Sequence, residues 1–173
     1  MVHQRVKIFT VEGRGIQIQV AGTDNLVKRV YIREKALANL DRKQENGLSL
    51  SPLFQKLRED LKSYLSGKKV DFSPYPLDMN SVSSKARRIL QVVREIPYGE
   101  VRSYRWVALK LKNRGYRAVG RIMSINPFPI IVPCHRVIYA DGTLGGFSGG
   151  ISLKKRLLEI EGIHILPLIS KVV

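Results

Sequence analysis

A chain of 173 residues, 44% of them hydrophobic, is long enough to bury one ordinary core or two small ones and too apolar to stay disordered. One cysteine excludes an internal disulfide, and with only three histidines it leaves too few soft ligands for most structural zinc sites. Thirty Lys and Arg against fourteen Asp and Glu give a net charge of +16, and residues 81–125 alone hold eleven basic and two acidic side chains, which predicts a polyanionic partner.

The first seventy residues read as a small α/β unit. Val6 to Val11 and Ile16 to Val20 alternate with period two across Gly13-Arg14-Gly15, the pattern of a hairpin, and Leu26 to Ile32 reads as a third strand. Ser51-Pro52 places a capping hydroxyl and a proline at a helix start; Leu53, Leu57, Leu61 and Leu65 follow at spacings of four, and Ser66-Gly67 closes the helix. Ser73-Pro74-Tyr75-Pro76 resists both helix and sheet, so the expected boundaries are 1–72 for an N-terminal domain, 73–81 for a linker and 82–173 for a C-terminal domain.

The second half is more helical. Ser83 or Ser84 can cap a helix whose Ile89, Leu90, Val93 and Ile96 share a face, ended by Pro97-Tyr98-Gly99. Ser103 can cap another, with Trp106, Val107, Leu109 and Leu111 as its apolar residues; Asn113-Arg114-Gly115 makes a turn, and Arg117 to Ser124 has helical composition. Two short helices around a glycine-containing turn suggest a helix-turn-helix, a shape any helical hairpin shares. A last helix is expected from a Ser152 cap to Glu161, with Gly162 at its end. Ile130-Ile131-Val132 is hemmed in by Pro129 and Pro133, far short of the ~20 residues a bilayer helix requires, and Met1 to Arg5 carries no apolar run of a secretory signal. The expected compartment is the cytoplasm, or the nucleus of a eukaryote, with no membrane partner.

The chemistry centres on Cys134. A lone cysteine between apolar segments reads first as an inert core residue, but Pro133 fixes the chain entering it and His135 follows at once. In an extended strand His135 points to the opposite face from Cys134, so the pair can cooperate only in a tight turn or through a water. Gly146-Phe147-Ser148-Gly149-Gly150 matches the nucleophile elbow of serine hydrolases, yet only His164 follows it, and a mobile loop with close backbone approach is the better reading.

The block Asn126-Pro127-Phe128-Pro129-Ile130-Ile131-Val132-Pro133-Cys134-His135-Arg136-Val137 resembles the signature of the O6-alkylguanine-DNA alkyltransferases, also called methylated-DNA–protein-cysteine methyltransferases. Tyr98-Gly99-Glu100-Val101, Ser103-Tyr104, Arg117-Ala118-Val119-Gly120, the glycine-rich loop and Leu157 to Gly162 extend the likeness over roughly residues 83–163. The resemblance implies an α/β fold with a small ribonuclease H-like N-terminal domain and a mostly helical C-terminal domain with a helix-turn-helix. It implies direct-reversal repair of double-stranded DNA. The protein is expected to act as a monomer from the minor groove on an extruded O6-alkylguanine, and on O4-alkylthymine as a further candidate substrate. The alkyl group passes irreversibly to the protein's own cysteine, without a cofactor or structural metal.

Role by role, the resemblance makes Cys134 the nucleophile, His135 a base acting through a bridging water and Glu161 the group that orients the imidazole. Asn126 braces the turn, and Tyr104 donates a proton to the guanine leaving group. Arg117 fills the gap in the base stack, the carbonyls of Cys134 and Val137 read the guanine amino group, and Ser148 with Phe147 and Gly149 contacts the base. Arg136 is expected as a structural ion-pair partner. Tyr116 and Arg121 stand where many relatives carry small residues, placing an aromatic ring and a charge at the DNA contact, and Phe147 replaces a common tyrosine. The rival readings are a non-catalytic alkylguanine sensor and a transcriptional regulator; presence of the cysteine speaks against the first and absence of an additional DNA-binding domain against the second.

Overall fold

Arg14 and Gly15 both hold positive φ, at 50° and 71°, the backbone a two-residue hairpin turn requires. That turn joins β1 (Lys7–Gly13) to β2 (Ile16–Thr23), in register from Lys7 opposite Gly22 to Gly13 opposite Ile16. A second two-residue turn leads to β3 (Leu26–Glu34), giving an antiparallel sheet in the order β1-β2-β3. The computed structural model describes residues 5–35, 49–112 and 115–164.

Helix α1 (Pro52–Leu65) starts as the sequence predicts: Ser51 Oγ accepts from the Phe54 amide at 3.4 Å and Pro52 occupies the first turn. Its buried face is Phe54, Leu57, Leu61, Tyr64 and Leu65 rather than a row of four leucines, and Leu53 is only partly buried. Phe54 meets Phe9 edge-on with ring centroids 5.7 Å apart. A side chain at Gly22 would collide with the Phe54 ring, its Cβ lying 2.4 Å from Cζ, so the register shift at Ala21/Gly22 and the glycine together make room for the aromatic core.

The chain divides into two compact units, Met1–Ser81 and Val82–Val173. The segment 73–81 is therefore not a free linker: Tyr75 and Leu77 are buried, Tyr75 Oη donates to Asp60 at 2.5 Å, and Leu77 bridges to Val27. Its prolines preclude regular structure but do not prevent packing.

In the second unit, α2 (Ser84–Arg94), α3 (Tyr104–Lys110) and α4 (Tyr116–Ser124) pack together. Ser83 rather than Ser84 caps α2, accepting from the Ala86 amide at 3.2 Å, and Ser103 caps α3, accepting from the Trp106 amide at 3.0 Å. Leu109, expected among the apolar residues of α3, is exposed, and Tyr104, Val107 and Ala108 form the buried face instead. The expected turn residues Asn113 and Arg114 lie outside the described residues.

A parallel pair the sequence did not suggest, β4 (Arg102–Ser103) with β5 (Val137–Ile138), ties the start of α3 to the segment following Cys134. Helix α5 (Ile151–Ile160) begins two residues before the expected position; its N-cap is Gly150 rather than Ser152, with no side-chain cap, so Ser152 lies inside the helix. Among the described residues no helix is long and apolar enough to cross a membrane.

Candidate active site

The segment entering the site is held by one side chain. Asn126 Nδ2 donates to the Val132 carbonyl at 2.9 Å and to Cys134 Sγ at 3.1 Å, while its Oδ1 accepts from the Phe128 amide at 3.0 Å. Between these anchors Ile130, a buried β-branched residue, is held at φ 73°, a region such residues avoid, so the loop stores strain beside the thiol. Cys134, His135 and Arg136 form a single 3-10 turn. Cys134 and His135 therefore lie in a tight turn and not in the extended strand that would point them to opposite faces.

Glu161, the C-cap of α5, is almost fully buried and is surrounded by donors. Its Oε1 lies 2.7 Å from His135 Nε2 and accepts from Arg136 Nη2 at 3.0 Å, while its Oε2 accepts from Arg136 Nε at 2.8 Å and the Gly99 amide at 3.1 Å. Arg136 Nη1 donates to the Ile96 carbonyl at 2.6 Å. Burial pushes the Glu161 carboxyl up, but His135 and Arg136 outweigh it and hold the pKa at about 2. The His135 imidazole is pushed down by burial, against the pull of Glu161. The resting dyad is thus a carboxylate beside a neutral imidazole, with Arg136 as the fixed counter-charge.

The thiol has a similar balance. Burial raises the Cys134 pKa, opposed by the Asn126 hydrogen bond and the positive charge of Lys154. Lys154, which acts electrostatically on the thiol, was not singled out from the sequence. It is completely buried on α5, donating from Nζ to the Val137 carbonyl at 2.6 Å and to the Leu144 carbonyl, with the ammonium 5.7 Å from the Tyr104 ring centroid. Burial lowers its pKa to about 8, partly offset by attraction to Cys134. A signal was present: Lys154, Leu157, Leu158 and Glu161 recur at the spacing of one helical face, and the two charged members of that stripe act electrostatically on the thiol and the imidazole.

Tyr104, at the start of α3, is buried beside Tyr139, with ring centroids 5.1 Å apart. Burial, then the neighbouring Tyr139 and Cys134, raise its pKa to about 12, so its phenol keeps its proton. Gly145 closes over both rings: at φ 65° its Cβ would stand 2.8 Å from Tyr104 Oη and 3.0 Å from Tyr139 Cε2.

A cavity of about 560 Å³ is lined by Tyr104, Tyr116, Arg117, Gly120, Arg121, Ser124, Tyr139, Gly146, Phe147 and Ser148. It brings together six of the residues singled out from sequence: Tyr104, Tyr116, Arg117, Arg121, Phe147 and Ser148. Tyr139 joins the wall without having been anticipated. Cys134 and Val137 are buried rather than on its lining, the Val137 carbonyl already receives Lys154, and Gly149 packs against Leu153 and Phe147.

Fold and site together define a class: a protein with one buried thiol, an imidazole in the same turn paired with a carboxylate, and an arginine-bearing cavity at its surface. The family description "6-O-methylguanine DNA methyltransferase, DNA binding domain" matches residues 84–163. The methylated-DNA–protein-cysteine methyltransferase of Methanothermobacter thermautotrophicus is 41% identical over 150 residues, covering 87% of this chain and 82% of the relative. The Methanopyrus kandleri protein of that name is 51% identical over 106 residues, 61% of this chain and 79% of its own. The crystal structure of Mycobacterium tuberculosis OGT in complex with DNA is similar at a TM-score of 0.71 and 32% identity, covering 89% of this chain and 91% of that one. The chain belongs to the methylated-DNA–protein-cysteine methyltransferase family.

Proposed function

We propose that this protein repairs duplex DNA by taking the alkyl group of O6-alkylguanine onto Cys134, once per molecule and irreversibly, with O4-alkylthymine as a secondary substrate. The observation that carries the reading is the thiol's setting: Sγ receives Asn126 Nδ2 at 3.1 Å, one residue from an imidazole hydrogen-bonded to a buried carboxylate. In the mechanism this supports, α3 and α4 act as a helix-turn-helix that enters the minor groove. Arg117 fills the gap left by the extruded nucleotide, and the aromatic cavity receives the base. The N-terminal sheet and helix are an abbreviated ribonuclease H-like unit, and the protein acts as a cytoplasmic monomer without cofactor.

The thiol proton passes through a water to His135, whose new positive charge is stabilised by Glu161. Sulfur attacks the alkyl carbon, the Sγ–C bond forms, the C–O6 bond breaks, and the guanine leaving group takes a proton from Tyr104. A thiol raised and an imidazole lowered by burial form a neutral resting pair. Charge separation then occurs only as the substrate reacts, with the Asn126 amide already on the sulfur and the positive charge of Lys154 favouring its thiolate. Lys154 also fixes the Val137 carbonyl and leaves that oxygen a second lone pair for the guanine amino group. Cys134→Ala tests the reading: alkyl transfer to the protein is lost while affinity for duplex containing O6-methylguanine is kept. Transfer that persists in the variant contradicts it.

A further inference from the structure

A second cavity, of about 420 Å³, opens where the start of α2 meets the end of α3. Its floor is apolar, formed by Ile89 and Leu111, and its rim carries the Ser84 hydroxyl and the cations of Lys85 and Arg88. Both cations are exposed. Among the described residues neither is paired with a carboxylate, whereas Arg102 is engaged by Glu100 and Arg136 by Glu161. Lys85 and Arg88 stand one helical turn apart, so their charges repel and weaken α2 slightly. Like charges held together over an apolar floor complement a ligand that is anionic on one side and apolar on the other. A deoxyribose-phosphate backbone has that character.

The groove is also close to the first cavity along the chain. Leu111 is the C-cap of α3, and six residues later Arg117 lines the first cavity. Six residues span at most roughly 20 Å, about six base-pair steps of a duplex at ~3.4 Å each. One short stretch of DNA is therefore long enough to reach both.

We infer that this groove is a second backbone anchor for the DNA that the cavity reads. A sugar rests on Ile89 and Leu111, a phosphate lies between Lys85 and Arg88, and the Ser84 hydroxyl donates to it. The inference rests on the proposed duplex-binding function. The anchor holds the strand flanking the extruded nucleotide and takes no part in the thiol chemistry.

The test uses the full chain and measures affinity for a duplex carrying one O6-methylguanine across a range of salt concentrations. In the double variant Lys85→Gln, Arg88→Gln the slope of log K against log salt becomes shallower by about two, close to one for each cation removed from the DNA backbone. Affinity at moderate salt falls by at least tenfold, while transfer from free O6-alkylguanine base, which carries no phosphate, is unchanged. Lys68→Gln, Lys69→Gln removes equal charge from the first unit and leaves the slope as it was. A double variant at Lys85 and Arg88 with wild-type slope overturns the anchor, as does an equal loss in the Lys68 and Lys69 control. Wild-type protein without salt-dependent duplex binding overturns the duplex-binding function itself, and the anchor with it.

Discussion

Among the described residues, the first unit buries a single polar side chain, Thr23, in a core of Phe9, Ile18, Val20, Phe54, Leu57 and Leu61. The second unit buries Ser103, Asn126, His135, Arg136, Lys154 and Glu161. A buried polar group is costly unless it is hydrogen-bonded, and a buried charge far more so. The first unit thus has the composition of a packing element. The second retains its expensive groups because each is satisfied by another: carboxylate by guanidinium and imidazole, ammonium by two carbonyls, amide by the thiol. Substitutions in the first unit should change stability without touching the thiol, and substitutions in the second should change both.

Glu161→Gln puts that contrast under the greatest strain. The loss of alkyl-transfer rate at neutral pH is expected at ~10- to 1000-fold, the scale of a weakened acid–base group, measured in single turnover. The same change alters the acid stability profile. The folded carboxyl sits at about 2 against an ordinary 4.5, so the unfolded chain binds the proton more readily. The resulting stabilisation, of the order of 3 kcal/mol, is fully present above the unfolded value and is lost as pH falls through the folded one. Urea midpoints at neutral pH and near pH 3 should differ more in wild type than in the variant. Equal pH dependence in the two proteins counts against a buried carboxylate held by Arg136.

Leu61→Ala approaches the contrast from the other unit. Truncating this fully buried leucine should cost about 2–5 kcal/mol of stability, read from the urea midpoint, and leave the pH midpoint of Cys134 alkylation in place. A shifted midpoint means that the two units are not energetically separate. Lys154→Met is the smallest expected effect. Removing the ammonium deprives the thiolate of a buried positive charge, so the midpoint of the rate–pH curve with a small alkylating reagent moves upward. Cys134 is the only thiol, so that curve reports on it alone. An unmoved midpoint leaves Lys154 as a brace for the Val137 and Leu144 carbonyls.

Much of this was legible in the sequence because local rules decide it. Period-two runs marked the hairpin, with its turn at Arg14-Gly15, and three serine caps, Ser51, Ser83 and Ser103, stand where helices begin. The block from Asn126 to Val137 located the thiol, and its resemblance named Glu161 across 26 positions. What the sequence hid depends on long-range contact. The β4–β5 pair is only two residues per strand, too short for any periodic signal. Tyr75 and Leu77 look like linker because of the prolines beside them, yet they are core. Lys154 is one of thirty basic residues in the chain and does not stand out among them; only the stripe it shares with Glu161 betrays its burial. Ser152 has the chemistry of a cap, but the helix begins from Gly150 at φ 88°, a conformation that favours glycine.

The central claim is that Cys134 is a stoichiometric acceptor, and titration of the protein with duplex carrying one O6-methylguanine, followed by intact mass and peptide mapping, tests it most directly. The account predicts a plateau at one methyl group per molecule, all of it on the peptide containing Cys134, with nothing added to the protein but DNA. More than one lesion repaired per molecule, or the methyl group on any other residue, contradicts it.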